Sequence, residues 1–259
     1  MLTVAVGNSS TRAAVWSAEG NVLWSRDWPT TSPITDLADG ICARVRESPD
    51  CIRACVLAGV VPRVTRSLNT LLGHRLPGVK VLRFRRDLHC PLRIAPRPAQ
   101  RVGDDRLAGT LGALVHDPGV SWVVIDAGTA VTVNAVRGGC FEGGMIIPGE
   151  ELALRALSSG TAQLPSLKPW PADRPTKVFG LSTAEAMRCG VRNGQIGAVC
   201  NLVVVQTVFL GPGTRVVVTG GGAAPLWPML EGMLGRCQPI FDPHLVLRGL
   251  FAAWKSAQG

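Results

Sequence analysis

Apolar positions in this chain follow two periods, and the period separates strands from helices. Leu2 to Val6 is a short apolar run of strand type. Thr11 to Ser17 and Asn21 to Trp28 follow it across a turn at Ala18-Glu19-Gly20, so the chain opens as a three-stranded meander. Ile34, Leu37, Ile41 and Val45 recur at helical spacing. Arg53 to Val61 reads as a buried strand stopped by Pro62, Val64 to Leu72 as a helix and Val79 to Phe84 as a strand. Prolines interrupt Cys90 to Pro98, which reads as a connector, and Arg101 to Val115 passes from loop into helix.

The pattern then restarts. Trp122 to Asp126, Thr132 to Val136 and Cys140 to Ile147 form a second meander, turned at Gly138-Gly139. A short helix is predicted over Glu150 to Leu157 and a proline-rich loop over Pro165 to Thr176. A long apolar helix follows over Ser182 to Phe209, with breaks expected near Gly190 and Gly197. Arg215 to Val218 is a strand running into Gly220-Gly221-Gly222, and Leu226 to Leu234 and Val246 to Lys255 have helical spacing.

The two meanders echo each other. Gly7 to Thr11 and Gly128 to Thr132 each read Gly-x-x-x-Thr between apolar strands, and both ends match at an offset of 121 residues. A repeat on this scale implies an α/β protein built from two similar halves, divided as 1–116 and 117–259, with a cleft between them. Glycine lets a backbone approach an anion or take an unusual φ. Successive N–H groups with Ser and Thr hydroxyls make an anion cradle. One such turn is no more than an ordinary hairpin. Two of them, with the glycine turn after a third strand, point to nucleotide phosphates. No G-x-x-x-x-G-K-[ST] run occurs, which excludes a P-loop as the source.

Composition narrows the classes. Hydrophobic residues make up 46% of 259 and charged residues 17%, against the pattern of disordered chains. Lys and Arg outnumber Asp and Glu by 27 to 18, a formal charge of +9, which suits an anionic partner. The basic residues are spread out, and the densest run, Arg83-Phe84-Arg85-Arg86, carries no aromatic RNA-recognition signature, so nucleic acid is not the expected partner. No apolar run of membrane-spanning length lacks a breaker, and the N-terminus reads as a buried strand rather than a signal peptide. Eight cysteines without a C-x-x-C pair, and four scattered histidines, do not form a zinc pattern. Reduced, mostly buried thiols in a cytoplasmic protein are expected.

Gly103-Asp104-Asp105-Arg106 stands out in an acid-poor chain, at the start of a predicted helix. Asp is a favoured N-cap, and that is the preferred role for Asp104. A carboxylate there can also accept a proton from a substrate hydroxyl, beside an Arg able to grip an anion. For Asp105 both roles stand.

With these motifs in place, the chain resembles the type III pantothenate kinases, of the acetate and sugar kinase/Hsp70/actin superfamily, from about Leu2 to Ala253. The resemblance rests on Gly7-Asn8-Ser9-Ser10-Thr11 (family D-x-G-N-T-x-T), Gly103-Asp104-Asp105-Arg106 (G-x-D-R) and Asp126 to Thr132 (D-x-G-T-A-x-T). It rests also on Gly143 to Gly149 (G-G-x-I-x-P-G), Ser182-Thr183, Thr219-Gly220-Gly221 and Asp242 to Leu250. It implies two ribonuclease H-like or actin-like halves with a nucleotide cleft. It implies transfer of the ATP γ-phosphoryl group to pantothenate, the first step of coenzyme A synthesis. Mg²⁺ with the nucleotide, a monovalent cation (K⁺ or NH₄⁺) and a homodimer with substrate near its interface are implied too.

Carried over position by position, Asp105 is the proton acceptor, and Gly103, Asp104, Arg106 and Thr183 line the pantothenate site. Val6, Gly7, Asn8, Ser9, Ser10, Thr11 and Arg12, with Gly128, Thr129, Gly220 and Gly221, contact ATP. Asp126 is the monovalent-cation ligand. Three departures stand against this pattern. Ala5 replaces the first-loop aspartate that helps hold Mg²⁺, tyrosine is absent throughout, and Asn134 stands where an Asp is common. Ala5 keeps a second reading open, that of a catalytically impaired relative acting as a binding or regulatory protein.

Overall fold

A computed structural model describes residues 1–47, 52–171 and 173–258. By contacts the chain forms two units. The first comprises Met1–Pro118, Gly139–Phe141 and the stretch from His244 onward; the second comprises Gly119–Gly138 and Glu142–Pro243. A boundary at 116/117 leaves that last stretch in the second half, whereas by contacts it clusters with the first.

The first unit begins with the expected meander, β1 (Leu2–Val6), β2 (Ser10–Trp16) and β3 (Val22–Pro29). Helix α1 (Ile34–Glu47) then turns Leu37, Ala38, Ile41 and Cys42 inward, and β4 (Ala54–Gly59) runs parallel to β1. Pro62 is not only a strand stop. It opens α2 (Pro62–Arg75), a position where its missing N–H leaves no bond unmade. Strand β5 (Lys80–Arg83) completes a five-stranded sheet in the order β3-β2-β1-β4-β5. The proline-rich connector holds a two-residue strand, β6 (Arg93–Ile94), paired with Cys140 and Phe141, and leads to α3 (Asp104–His116).

The plan repeats with β7 (Trp122–Ala127), β8 (Ala130–Arg137), β9 (Cys140–Pro148), whose first two residues cluster with the first unit, and α4 (Glu150–Ser159). Helix α5 (Thr183–Leu210) is continuous; no break occurs at Gly190 or Gly197. Their i, i+4 hydrogen bonds persist because Met187, Ile196, Val199 and Val203 bury one face of the helix, which offsets the glycine penalty. By length and composition α5 alone among the described helices suffices to cross a membrane. Strand β10 (Arg215–Thr219) lies parallel to β7, followed by α6 (Trp227–Met233) and β11 (Ile240–Phe241). The sheet runs β11-β10-β7-β8-β9-β6. Its core is aliphatic: Val123, Ile125, Val133, Val216 and Val218 from the strands meet Ile196, Val199 and Val203 of α5.

The last element, α7 (Leu245–Ser256), lies on α3 in the first unit. Glycines set their approach. A Cβ at Gly249 would overlap the Ala108 carbonyl, and one at Gly112 would overlap that of Leu245. The same helix buries Leu247 and Phe251 against Ala14 and Trp16 of β2. Tryptophan behaves as core filler at Trp16 and Trp122, both fully buried.

The described cysteines are free thiols, all buried except the partly exposed Cys237; Cys51 falls outside the described residues. Burial pushes the Cys55 thiol up to about 12, so it behaves as a small apolar group.

Candidate active site

The first loop closes with Gly7 N–H donating to the Ser10 carbonyl at 2.9 Å. Gly7 does not have positive φ. What it supplies is room, since a Cβ there would lie 3.0 Å from that same oxygen. Asn8 and Ser9 at the tip are exposed. Thr11, by contrast, is fully buried, and its hydroxyl meets that of Thr30 at 3.1 Å. Thr30 donates in turn to the Gly7 carbonyl at 2.8 Å, and its N–H reaches the Ser9 carbonyl. Thr11 therefore braces the loop from behind, and Thr30 is a loop residue that no motif signals.

Ala5 faces Arg12 across β1 and β2, and Arg12 faces Asp27 across β2 and β3. Arg12 Nε lies 3.1 Å from an Asp27 carboxylate oxygen. The acid nearest to position 5 along this row is thus engaged with a cation.

The acidic corner belongs to the same unit. Gly103, not Asp104, is the N-cap of α3, and no side chain caps the helix there. Asp104 sits in the first turn with its carboxylate 3.1 Å from Arg85 Nη1. Arg85 also donates to the carbonyls of Val102 (2.6 Å) and Ala99 (2.9 Å). Its φ of 63° is left-handed, rare for a residue with a Cβ. One arginine of the predicted basic run is therefore turned inward, holding the approach to α3.

Asp105 is half-buried, and its Oδ1 accepts from the Arg106 N–H at 2.8 Å. Desolvation raises its carboxyl above the ordinary aspartate range, against the pull of that hydrogen bond and of the Arg106 charge. Asp104 is raised by burial too, opposed by Arg85. The Arg106 guanidinium stands over the Phe141 ring at 5.3 Å. Val60 links the corner to the first loop: its N–H donates to the Val6 carbonyl at 3.0 Å, and its side chain lies against Gly103.

The second loop, in the other unit, is tighter. Gly128 N–H closes on the Ala130 carbonyl at 3.1 Å, and Ala127 faces Val131 where Val6 faces Thr11. The echo is therefore exact in sequence offset and displaced by one residue in register. Gly149 N–H donates to the Thr129 carbonyl at 3.0 Å, and a Cβ at Gly149 would overlap both the Gly128 and Thr129 oxygens. Gly220 has φ 103° and passes so close that a Cβ would strike the Ala127 carbonyl and approach Asp126 Oδ1; only glycine serves. Gly221 follows it, exposed.

Asp126 pairs in register with Thr219, whose buried hydroxyl has no hydrogen-bond partner. Asn134 is buried and donates to the Thr132 hydroxyl at 2.9 Å. Thr183 is exposed and opens α5, where Ser182 accepts from the Glu185 N–H as N-cap. The candidate residues thus gather in each unit as separate sets: the first loop with Gly103–Arg106 in one, and Asp126, Gly128, Thr129, Gly220 and Gly221 in the other.

A sequence model of the type III pantothenate kinase family matches residues 1–204. The chain belongs to that family. It is 31% identical over 263 residues to the type III pantothenate kinase of Hyphomonas neptunium, covering 98% of each chain. It is 33% identical to that of Chlorobium luteolum, covering 96% of this chain and 91% of the relative. Among solved structures, a Campylobacter jejuni chain assigned to the Baf family of transcriptional activators superposes with TM-score 0.61 at 17% identity, over 100% of this chain and 99% of that one. Component A of (R)-2-hydroxyglutaryl-CoA dehydratase from Acidaminococcus fermentans gives 0.57 at 17%, over 99% and 98%. These likenesses agree with the mixed α/β fold. The family is one of kinases that use ATP as phosphoryl donor.

Proposed function

We propose that the chain transfers the γ-phosphoryl group of ATP to the terminal hydroxyl of pantothenate, giving 4'-phosphopantothenate and ADP. The observation that carries this reading is the acidic corner. Asp105 is a half-buried carboxylate with a raised pKa, beside Arg106, at the start of a helix whose approach Arg85 clamps.

Asp105 accepts the proton of the attacking hydroxyl. The hydroxyl oxygen bonds to the γ-phosphorus as the bond to the β,γ-bridging oxygen breaks and ADP departs. A loose transition state demands little basicity of Asp105 and much of positioning. Arg106 and the N–H groups opening α3 suit the carboxylate of pantothenate, with Gly103 and Asp104 beside them and Thr183 as a further contact. The backbone N–H groups of residues 6 to 12 and of Gly128-Thr129, with the Gly220-Gly221 turn, suit phosphate oxygens.

Asp126 with the unpartnered Thr219 hydroxyl offers oxygen donors, which fit a monovalent cation such as K⁺ or NH₄⁺. Mg²⁺ fits less well as a resident ion. Position 5 is alanine, Asp27 is engaged by Arg12, and the described residues contain no cluster of three or more His, Cys, Asp or Glu able to hold a metal. Mg²⁺ would arrive on the ATP phosphates as part of the substrate. The exposed apolar end of α5, with Val208 at 79% and Phe209 at 60%, suits a homodimer contact. Free buried thiols accord with a cytoplasmic setting.

Ala5 favours a second reading, a protein that binds the substrates without efficient transfer. Pantothenate-dependent ADP release with Mg²⁺-ATP, with and without K⁺ or NH₄⁺, separates the two when the native chain is compared with Ala5→Asp. Cation-stimulated release from the native chain is expected, with Ala5→Asp raising its Mg²⁺ dependence. Release only from the variant supports the impaired reading, and silence from both overturns the kinase reading.

A further inference from the structure

A buried ion pair lies behind the second loop. Arg192, in the middle of α5, has a side chain 1% exposed; Glu150, the first residue of α4, has one 12% exposed. The pair is bidentate, with Nε to Oε1 at 3.1 Å and Nη2 to Oε2 at 3.3 Å. The same guanidinium donates to the carbonyls of Arg174 (3.0 Å) and Trp170 (3.2 Å) and stands over the Trp170 ring. One turn along α5, the buried Gln195 amide donates to the Pro148 carbonyl at 3.2 Å. Helix α5 thus grips the corner Pro148-Gly149-Glu150 on both sides of Gly149, and Gly149 is the residue whose N–H holds the Thr129 carbonyl.

We propose that Arg192 is a positioning residue for nucleotide binding, setting the Gly128-Thr129 loop through Glu150 and Gly149. A buried ion pair adds little net stability against an apolar replacement, because desolvation cancels much of the attraction. What a planar guanidinium fork supplies is orientation: it fixes the direction as well as the position of a carboxylate, which an ammonium cannot do. The corner it fixes has no slack, since Gly149 already touches the backbone of both loop residues. A shift of Glu150 is therefore transmitted to Thr129. The inference rests on the reading of this loop as a phosphate contact.

The test compares the full chain with Arg192→Met, Arg192→Lys, Glu150→Gln and Gln195→Leu. Calorimetric titration with ADP gives the nucleotide affinity, steady-state kinetics gives KM for ATP and for pantothenate, and thermal melting gives Tm. In Arg192→Met the ADP Kd and the ATP KM should rise roughly tenfold to a hundredfold, as for a misplaced binding group. The pantothenate KM should stay within about twofold. Arg192→Lys should recover part of the loss, and Glu150→Gln and Gln195→Leu should shift ADP affinity the same way; these two decide the matter if Arg192→Met does not fold. ADP affinity reads the proposal even in a chain that does not turn over. A lowered Tm with unchanged ADP Kd overturns it, leaving the pair a structural anchor. A rise confined to the pantothenate KM also overturns it, because the anchor would then serve Trp170 and Arg174, ahead of Thr183. A native chain that binds no ADP defeats the phosphate reading of the loop, and the proposal falls with it.

Discussion

At Asp105, desolvation and charge pull in opposite directions, and desolvation is the larger. The folded carboxyl binds its proton more tightly than the unfolded one. The stability this confers is fully present below the unfolded pKa, about 3.9. It is lost as pH rises through the folded pKa, because the native state then holds an ionised group in a poor solvent. Asp105→Asn should therefore raise Tm at pH 7 and leave it nearly unchanged at acid pH, while abolishing transfer and retaining ADP binding. Melting curves at the two pH values, with single-turnover assays, check this; a variant that still transfers phosphate removes Asp105 from the mechanism. Sequence favours Asp104 as the cap and leaves both roles open for Asp105, because both stand where a cap could be. The structure gives the cap to Gly103 and pairs Asp104 with Arg85, nineteen positions earlier in the chain. That partner was invisible as a motif, since the run Arg83 to Arg86 reads as a surface charge cluster until one backbone angle turns Arg85 inward. Thr30 and Glu150 escape a reading of the sequence for the same reason: one acts across the first hairpin, the other between two helices, and neither has a local signature.

Elements were more legible than contacts. Period alone finds both meanders, because apolar alternation is imposed by the buried face of each sheet, and the Gly-x-x-x-Thr turns give the offset between them. It could not give the one-residue difference in register between the two hairpins, which a single hydrogen bond decides, Gly7 to Ser10 in one and Gly128 to Ala130 in the other. It broke α5 at two glycines that tertiary burial overrides. Nor could it show that Gly112 and Gly249 are there to let two helices approach. Gly249→Ala has no free space and must push α7 away from the helix that carries Asp105. The expected cost is about 1–3 kcal/mol, the usual range for overpacking. Denaturant unfolding measures it, and an unchanged midpoint would mean that the interface yields without loss.

For the whole molecule, the composition indicates a folded chain and the repeated pattern an α/β one, while the second apolar feature of α5 appears only in three dimensions. Its first two-thirds supply core, while Val204, Val205, Val208 and Phe209 near its end remain exposed. If a second copy covers them, Val208→Asp should convert a dimer to a monomer in light scattering without unfolding it. A native chain of monomer mass, or a variant of unchanged mass, would sink that assignment. The excess of basic residues should act at this scale too, by drawing in anionic substrates over a distance set by ionic strength.

Helix α7 has one more consequence, in time. It is synthesised after every other described element, yet it covers Val56, Ala58, Leu107 and Ala108, all of which lie in the first half of these 259 residues. During synthesis the second unit can close while the first waits with that apolar face uncovered. A message cut short before Leu245 would encode both glycine loops and leave the helix that carries Asp105 without a floor.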